Sequence, residues 1–476
     1  MIKKFIRKIL GVRDETDEHG EPARDPTEPV VLGPDEHHID PRLLSQNAVR
    51  LTQTLQENGF KAFIVGGAVR DLLLGVKPKD FDIATDATPE QVKRLFRRAF
   101  IIGRRFQIVH VMFGQELLEV TTFRGAGASN APKDEHGRVL RDNSFGPQHE
   151  DAMRRDFTIN AMYYDPATQT VLDYHGGTAD IRDRILRIIG VPEERYREDP
   201  VRMLRVVRFA ARLQFTIEPA TRAPIATMAE LINNVPAARV FDEMLKLLMS
   251  GHALACLKEL RNSGLHHGLL PLLDVVLEQP IGMKFVTLAL ESTDVRINAG
   301  KSVSPGFLFA SLLWHQTLEK WDAYKAKGEP SIPALHLAAD DVLEDQTERL
   351  ALQRRIGSDM RDIWAMQPRF ERRTGKAPYK LLEHPRFRAG YDFLLLRCAS
   401  GELDPGIGEW WTAFYEGEPN ERERLITTPV ASPAAPAKKK RPARRAPRNH
   451  ADIPEVDQGP SGVSAEFRSG AKTVDE

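Results

Sequence analysis

The sequence predicts an α+β chain: a small head of mixed sheet and helices, followed by all-α neck, body and tail regions. Three features predict it. Short β-rich apolar runs alternate with helical patterns between residues 45 and 178. Apolar residues recur at three- and four-residue spacing through residues 190–415. Beyond residue 425 that stripe gives way to Pro/Ala-rich and then basic sequence. At 476 residues the chain exceeds one ordinary domain. The implied division is a flexible extension over 1–44, a head over 45–178, a helical neck over 179–260, a helical body over 261–425 and a disordered basic tail over 426–476.

Taken in order, MIKKFIRKILGV places Ile2, Phe5, Ile9 and Leu10 at helical spacing among lysines and an arginine. Two readings stand open: a basic amphipathic segment in weak contact with anionic lipid or RNA, or a frayed terminus. Residues 13–34 are acidic and Pro/Gly-rich, a flexible lead-in. A helix is expected over 44–58, then a buried strand over Phe60–Val65, a Gly66-Gly67 turn and a helix over Val69–Leu74. The strand DFDIAT follows, then a helix opened by Thr88-Pro89-Glu90 as cap, first-turn proline and acid. Arg105–Phe113 and Leu117–Arg124 read as strands, and the Gly/Asn/Asp/Ser-rich residues 125–149 as a mobile loop. Helical sequence dominates beyond Asp180, with Met203, Leu204, Val207 and Phe209 as core.

Composition narrows the function classes. Basic and acidic residues balance at 67 each, so net charge does not mark a polyanionic partner and local distribution must. Two cysteines, Cys256 and Cys398, are too few for a disulfide framework or a Cys-based zinc site, which favours a reducing, cytoplasmic setting. No apolar run approaches the roughly 18 residues that span a bilayer.

The chemistry concentrates in GGAVRDLLLGVKPKDFD, residues 66–82. Gly66 and Gly67, where a strand meets a helix, let the backbone approach a triphosphate because they carry no Cβ. Arg70 projects from the first helical turn, where its planar fork suits phosphate oxygens. Asp80 and Asp82, two apart in a β-rich segment, point to one face of a strand and can hold Mg²⁺. Each motif alone is ordinary: Gly-Gly marks turns, and spaced aspartates cap or solvate. Their ordered combination points to metal-dependent nucleotidyl transfer. A 3′-hydroxyl attacking an α-phosphate needs its pKa lowered and pyrophosphate charge neutralised, which two ions about 3.5–4 Å apart accomplish. Glu119 alternates with apolar neighbours on its strand and is either a third ligand or a plain exposed residue.

Three further groups bear on substrate. EDAMRRDFTINAM places Arg155, Asp156 and Asn160 near a helix start, where Asp156 with Asn160 either binds a ribose or orients a catalytic group, or the segment is a capped helix with a surface salt bridge. In EDPVRMLRVVRFAARL, Asp199 stands as a cap before Pro200 and Arg202 follows on the same face. An acceptor beside a donor matches the edge of adenine or cytosine and rejects guanine and uracil, without separating A from C. Lys438, Lys439, Lys440, Arg441, Arg444, Arg445 and Arg448 form an acid-free run suited to RNA phosphates. The histidines form no metal constellation.

GGAVRDLLLG, DFD, RRDFTINAM, LDYHGG and REDPVRMLRVVRFAARL stand here in the order found in the class II nucleotidyltransferases, the tRNA CCA-adding and poly(A) polymerase family, which residues 45–400 closely resemble. The resemblance implies a nucleotidyltransferase head carrying two Mg²⁺ ions on Asp80 and Asp82, a neck reading the base of ATP through Asp199 and Arg202, and a helical body holding RNA. It implies triphosphate contacts from Gly66, Gly67 and Arg70, and an active-site role for Asp156. IIGRRFQIVHV, KLLEHPRFRAGYDFLLLR and the basic tail are similar to the poly(A)-adding members, and no HD phosphohydrolase pattern is present. The expectation is template-independent addition of AMP to RNA 3′ ends, in the cytoplasm, with links to RNA decay machinery and no stable DNA partner. Two other readings are a CCA-adding enzyme and an inactive RNA-binding module.

Overall fold

A computed structural model describes residues 25–103, 107–125, 144–265, 280–350 and 352–427. The N-terminal amphipathic segment, most of the expected 125–149 loop, and the basic run at 438–448 lie outside the described residues. Ten strands are described: β1 Val30–Leu32, β2 Ala62–Val65, β3 Asp82–Thr85, β4 Ala99–Ile102, β5 Ile108–Phe113, β6 Glu116–Thr122, β7 Met162–Asp165, β8 Thr170–Asp173, β9 Ile185–Leu186 and β10 Thr216–Ile217. The first eight form one mixed sheet in the order β1-β8-β7-β2-β3-β6-β5-β4. Only β3 and β6 run parallel there. The last two strands form a small parallel pair.

Alternation along the strands gives the sheet two different faces. On one, Ile64, Ile83, Val109, Val111, Leu118 and Val120 are buried in the main core. They share it with helices α1 (Gln46–Glu57), α2 (Gly67–Leu73) and α3 (Pro89–Leu95), through Leu51, Leu55, Val69, Leu72 and Val92. Helix α3 opens as its sequence suggests: the Thr88 hydroxyl accepts from Gln91 N, and Gln91 Oε1 accepts from Thr88 N at 2.7 Å. On the other face, Phe63, Val65, Ala84, Phe123 and Tyr163 make a small aromatic cluster under Ala152 of α4 (Gln148–Arg154).

The main core runs on through the helices α5 (Gly177–Asp183), α6 (Pro192–Glu198), α7 (Val201–Leu213), α8 (Ala237–Leu248) and α9 (Ala253–Asn262) as far as Phe393. It crosses residues 178 and 260 without a break. A separate core begins at Met366, around Phe370, Phe387, Tyr391, Trp411 and Phe414. Met203, Leu204, Val207 and Phe209 are buried as expected. No helix among the described residues is long and apolar enough to cross a membrane.

Two expectations need correction. Residues 30–37, read as part of the flexible extension, are ordered: β1 completes the ladder of β8, and a helix over Pro34–His37 follows. His37 is buried there, its Nε2 2.9 Å from the Gln169 carbonyl oxygen and its ring edge-on to Tyr164. The β-branched pair Val30-Val31 and an otherwise bare sheet edge outweigh the polar composition around them. The glycine-turn helix also begins earlier than expected, at Gly67.

Candidate active site

The strand registers place three side chains of one face side by side. Asp82 on β3 is paired with Glu119 on β6, and Glu119 with His110 on β5. His110 Nε2 lies 3.4 Å from Glu119 Oε1. Asp80 precedes the strand by two residues and has no ladder partner. It is nevertheless exposed, like Asp82, while Phe81 between them is buried, so the alternation expected of the pair holds beyond the paired segment. Although part of the Asp82 side chain meets solvent, its carboxyl lies among the cleft walls and is pushed up to about 6, first by the partial desolvation this imposes and next by the Glu119 charge. Arg155 opposes this, and Asp80 adds to it. Negative charge is thus in local excess, a condition that a hard cation relieves. Among the described residues no three histidine, cysteine or carboxylate groups already converge on a metal position. The oxygen donors of Asp80, Asp82 and Glu119 nonetheless suit Mg²⁺ in kind.

Above this row opens a cleft of about 670 Å³ between head and neck, lined by Gly66, Gly67, Arg70, Asp82, Glu119, Arg155, Asp156, Asn160, Asp199 and Arg202 among others. The fold therefore gathers ten of the eleven site residues expected outside the tail, with Asp80 beside the row rather than in the cleft wall. Gly66 has φ +68, and a Cβ there would stand 3.3 Å from Arg155 Nη1, so both backbone shape and space favour glycine.

Arg70 is buried and already engaged. Its Nη1 donates to Asn160 Oδ1 at 2.8 Å, and its Nε and Nη2 donate to Asp71 Oδ1. Asn160 Nδ2 in turn donates to Asp156 Oδ1 at 3.2 Å, and Arg205 of α7 donates to Asp156 Oδ2 at 2.9 and 2.5 Å. One chain of hydrogen bonds thus runs from the glycine turn to the neck helix. Arg70, Arg205 and Arg208 also lie over the Phe209 ring. The RRDF element stands at the end of α4, with Arg155 as its C-cap, rather than at a helix start. Burial alone would raise the Asp156 carboxyl, but Arg205, Asn160 and the Phe157 N–H outweigh it and hold the group below its ordinary range. Removing the carboxylate by Asp156→Ala leaves the Arg205 charge with only the longer Glu243 contact, at 3.9 Å, and should cost about 3 kcal/mol of stability in urea unfolding. In the parent, the sign of the shift means that this contribution is full above the ordinary carboxylate pKa and fades as pH falls through the lowered one.

Asp199 is the C-cap of α6 and does not cap α7, which Pro200 enters directly with φ −60 and ψ −23. This corrects the expected capping role and frees the carboxylate. Its Oδ2 accepts from Arg239 Nη2 of α8 at 2.9 Å, whereas Oδ1 is buried without a protein partner. Arg202 does not pair with Asp199: its Nη1 donates to the Arg195 carbonyl at 2.8 Å and to Glu198 at 2.5 Å. The two side chains line one cleft wall from separate anchors.

Sequence reasoning missed His110, Arg205, Arg208, Arg239 and Glu243. Glu243 is buried and accepts from Arg208 Nε at 2.6 Å. The signals existed: Arg202, Arg205, Arg208 and Arg212 repeat at helical spacing on α7, and Arg239, Glu243 and Lys246 do so on α8. His110 carried none before the register of β5 and β6 was known.

Family models for a poly A polymerase head domain, a probable RNA and SrmB-binding site of polymerase A, and a polymerase A arginine-rich C-terminus match residues 62–187, 214–277 and 327–447. The chain is 41% identical to poly(A) polymerase I of Salmonella typhi over 472 residues, 95% of this chain and 99% of that one. It is 42% identical to poly(A) polymerase I of Haemophilus influenzae over 86% of this chain and 93% of that one. A CCA-adding enzyme of Bacillus subtilis is 39% identical over only 47% of this chain and 55% of its own length. Among solved structures, the Bacillus stearothermophilus CCA-adding enzyme in complex with CTP aligns with TM-score 0.52 and 27% identity, covering 83% of this chain and 90% of that one.

Proposed function

The chain belongs to the bacterial poly(A) polymerase I family, and from that premise we propose how its residues divide the work of adding AMP from ATP to RNA 3′ ends without a template. The observation that carries the proposal is the pairing of Asp82 with Glu119 at the floor of a cleft whose wall holds the unpartnered Asp199 Oδ1. The acidic row meets the reacting phosphate while the wall reads the base.

Asp80, Asp82 and Glu119 would hold Mg²⁺. When bound, a pair of such ions supplies a lowered 3′-hydroxyl pKa and neutralises the pyrophosphate leaving group. The turn at Gly66 and Gly67 lets backbone lie close against the triphosphate, and Arg70 behind it adds positive potential while Asn160 and Asp71 fix its orientation. Asp199 Oδ1 accepts from the exocyclic amine of adenine, with Arg202 donating to the ring nitrogen beside it. Asp156, with both oxygens occupied by Arg205, Asn160 and Phe157, acts as a positioning residue between head and neck. Arg155 supports the floor through Asp151 and Tyr163.

The setting is the cytoplasm, the acceptors are transcripts and decay intermediates, and the A tails promote RNA decay. The basic run from Lys438 to Arg448 tethers RNA through its phosphates. Truncation before Lys438 should weaken RNA binding and lower its salt slope by roughly 0.7 for each phosphate no longer neutralised, with ATP binding intact. An unchanged slope would show that the tail does not touch RNA. The metal assignment is tested by titrating Mg²⁺ into chelator-treated protein: transfer should return with the ion in the parent and fail to return in Asp82→Asn.

A further inference from the structure

The face of the sheet that carries the acidic row is covered at one end and open at the other. Over β7, β2 and the Ala84 end of β3 it is buried beneath α4 and the aromatic cluster. Over β6, β5 and β4 its side chains are half-buried to exposed among the described residues. Phe100 on β4 is paired with His110, so the row Asp82, Glu119, His110 ends on Phe100, a residue 56% exposed at the edge of the sheet. Ile102 and Leu117, on the same face, are 47% and 41% exposed. The opposite side of these strands is ordinary core, with Ala99, Val109, Val111 and Leu118 buried. Fold stability therefore does not account for an aromatic ring at Phe100.

We propose that this open end of the catalytic face, centred on Phe100, is a stacking platform for the 3′-terminal segment of the acceptor RNA. The inference rests on the poly(A) polymerase reading and extends it to the acceptor path. Two observations select RNA as the occupant. The platform is continuous, in strand register, with the carboxylates that the 3′-hydroxyl must reach. Arg97 and Arg98, both exposed, immediately precede β4 and set phosphate-binding charge two and three residues from Phe100 in the chain. Cations interleaved with an exposed ring are the composition that binds single-stranded nucleic acid without regard to sequence, because every base has a face to stack. Three interstrand steps of about 4.8 Å separate Asp82 from Phe100, or about 14 Å. A stacked strand advances about 3.4 Å per nucleotide, so the ring meets a base within roughly the last four.

The test uses the full chain and oligoadenylates carrying 2-aminopurine at single positions near the 3′ end, read by fluorescence quenching and by equilibrium affinity. For the parent, quenching should peak within those last nucleotides. Phe100→Ala should remove it and weaken RNA binding roughly tenfold, with ATP affinity unchanged. Phe100→Trp should restore both. Val31→Ala, at an equally exposed site on the opposite edge strand, should change neither. Parent-like binding and quenching in Phe100→Ala would overturn the platform. So would an affinity loss that Trp does not restore and that accompanies a change in sedimenting mass, which would make the face a contact between protein chains. If the folded parent itself bound no oligoadenylate, the poly(A) polymerase reading would fall together with the platform.

Discussion

Asp82→Asn lowers AMP transfer by on the order of 10³-fold or more while leaving ATP and RNA binding within severalfold of the parent. Asparagine keeps the shape of the side chain and removes one charge from the row proposed to hold Mg²⁺. Single-turnover incorporation, set beside separate binding measurements, checks the split. The raised Asp82 carboxyl adds a pH signature. With its pKa pushed up to about 6, the group takes up a proton as pH falls through 6, so the Mg²⁺ concentration needed for half-maximal transfer should climb steeply there. The stability sign is opposite to that of Asp156. A carboxyl raised in the folded state favours the fold at low pH and works against it once ionised, so metal-free parent loses stability between about pH 4 and pH 7 on this account. Metal-free Asp82→Asn should lack that loss, and added Mg²⁺ should narrow the difference between the two proteins at pH 7. Thermal unfolding at pH 5 and pH 8, with and without the ion, reads all four states.

Asp199→Ala reduces kcat/KM for ATP about 10- to 100-fold and flattens the choice among nucleotides, the scale expected for one hydrogen bond to a charged acceptor. The reason is local. Oδ1 is withdrawn from solvent without a partner, and an amine in the cleft satisfies it, whereas a carbonyl edge leaves two acceptors facing each other. Arg239→Ala should shift ATP KM in the same direction by less, because the carboxylate remains but loses the donor that fixes its rotation. The double variant should fall short of the sum, since both changes act through one carboxylate. Undiminished preference for ATP in Asp199→Ala would remove the base-reading role from this wall.

Much of this was legible in the chain, for physical reasons that differ between its parts. The glycine turn, the spaced aspartates and the basic neck helix are local patterns: each sets its own backbone or presents its own face, and each appears close to where its sequence puts it. What escaped depends on partners distant in sequence. β1 is a strand only because β8, far along the chain, offers an edge where Val30 meets Asp173. His110 joins the site only because an antiparallel register sets it opposite Glu119. The expected Asp199 cap failed because Pro200 begins the helix by itself, and the carboxylate thereby released is what Arg239 holds. Asp156 reads as catalytic by its place in RRDF, yet its hydrogen bonds tie head to neck. Side-chain roles of that kind are fixed by tertiary contacts, which motif spacing does not contain.

The most direct test is primer extension with Mg²⁺ on an unstructured RNA and on a tRNA lacking its CCA end, each with ATP alone, CTP alone or both. Long A tails on the unstructured RNA from ATP alone are the expected result. Extension confined to the tRNA, needing CTP and halting after C, C and A, would contradict it.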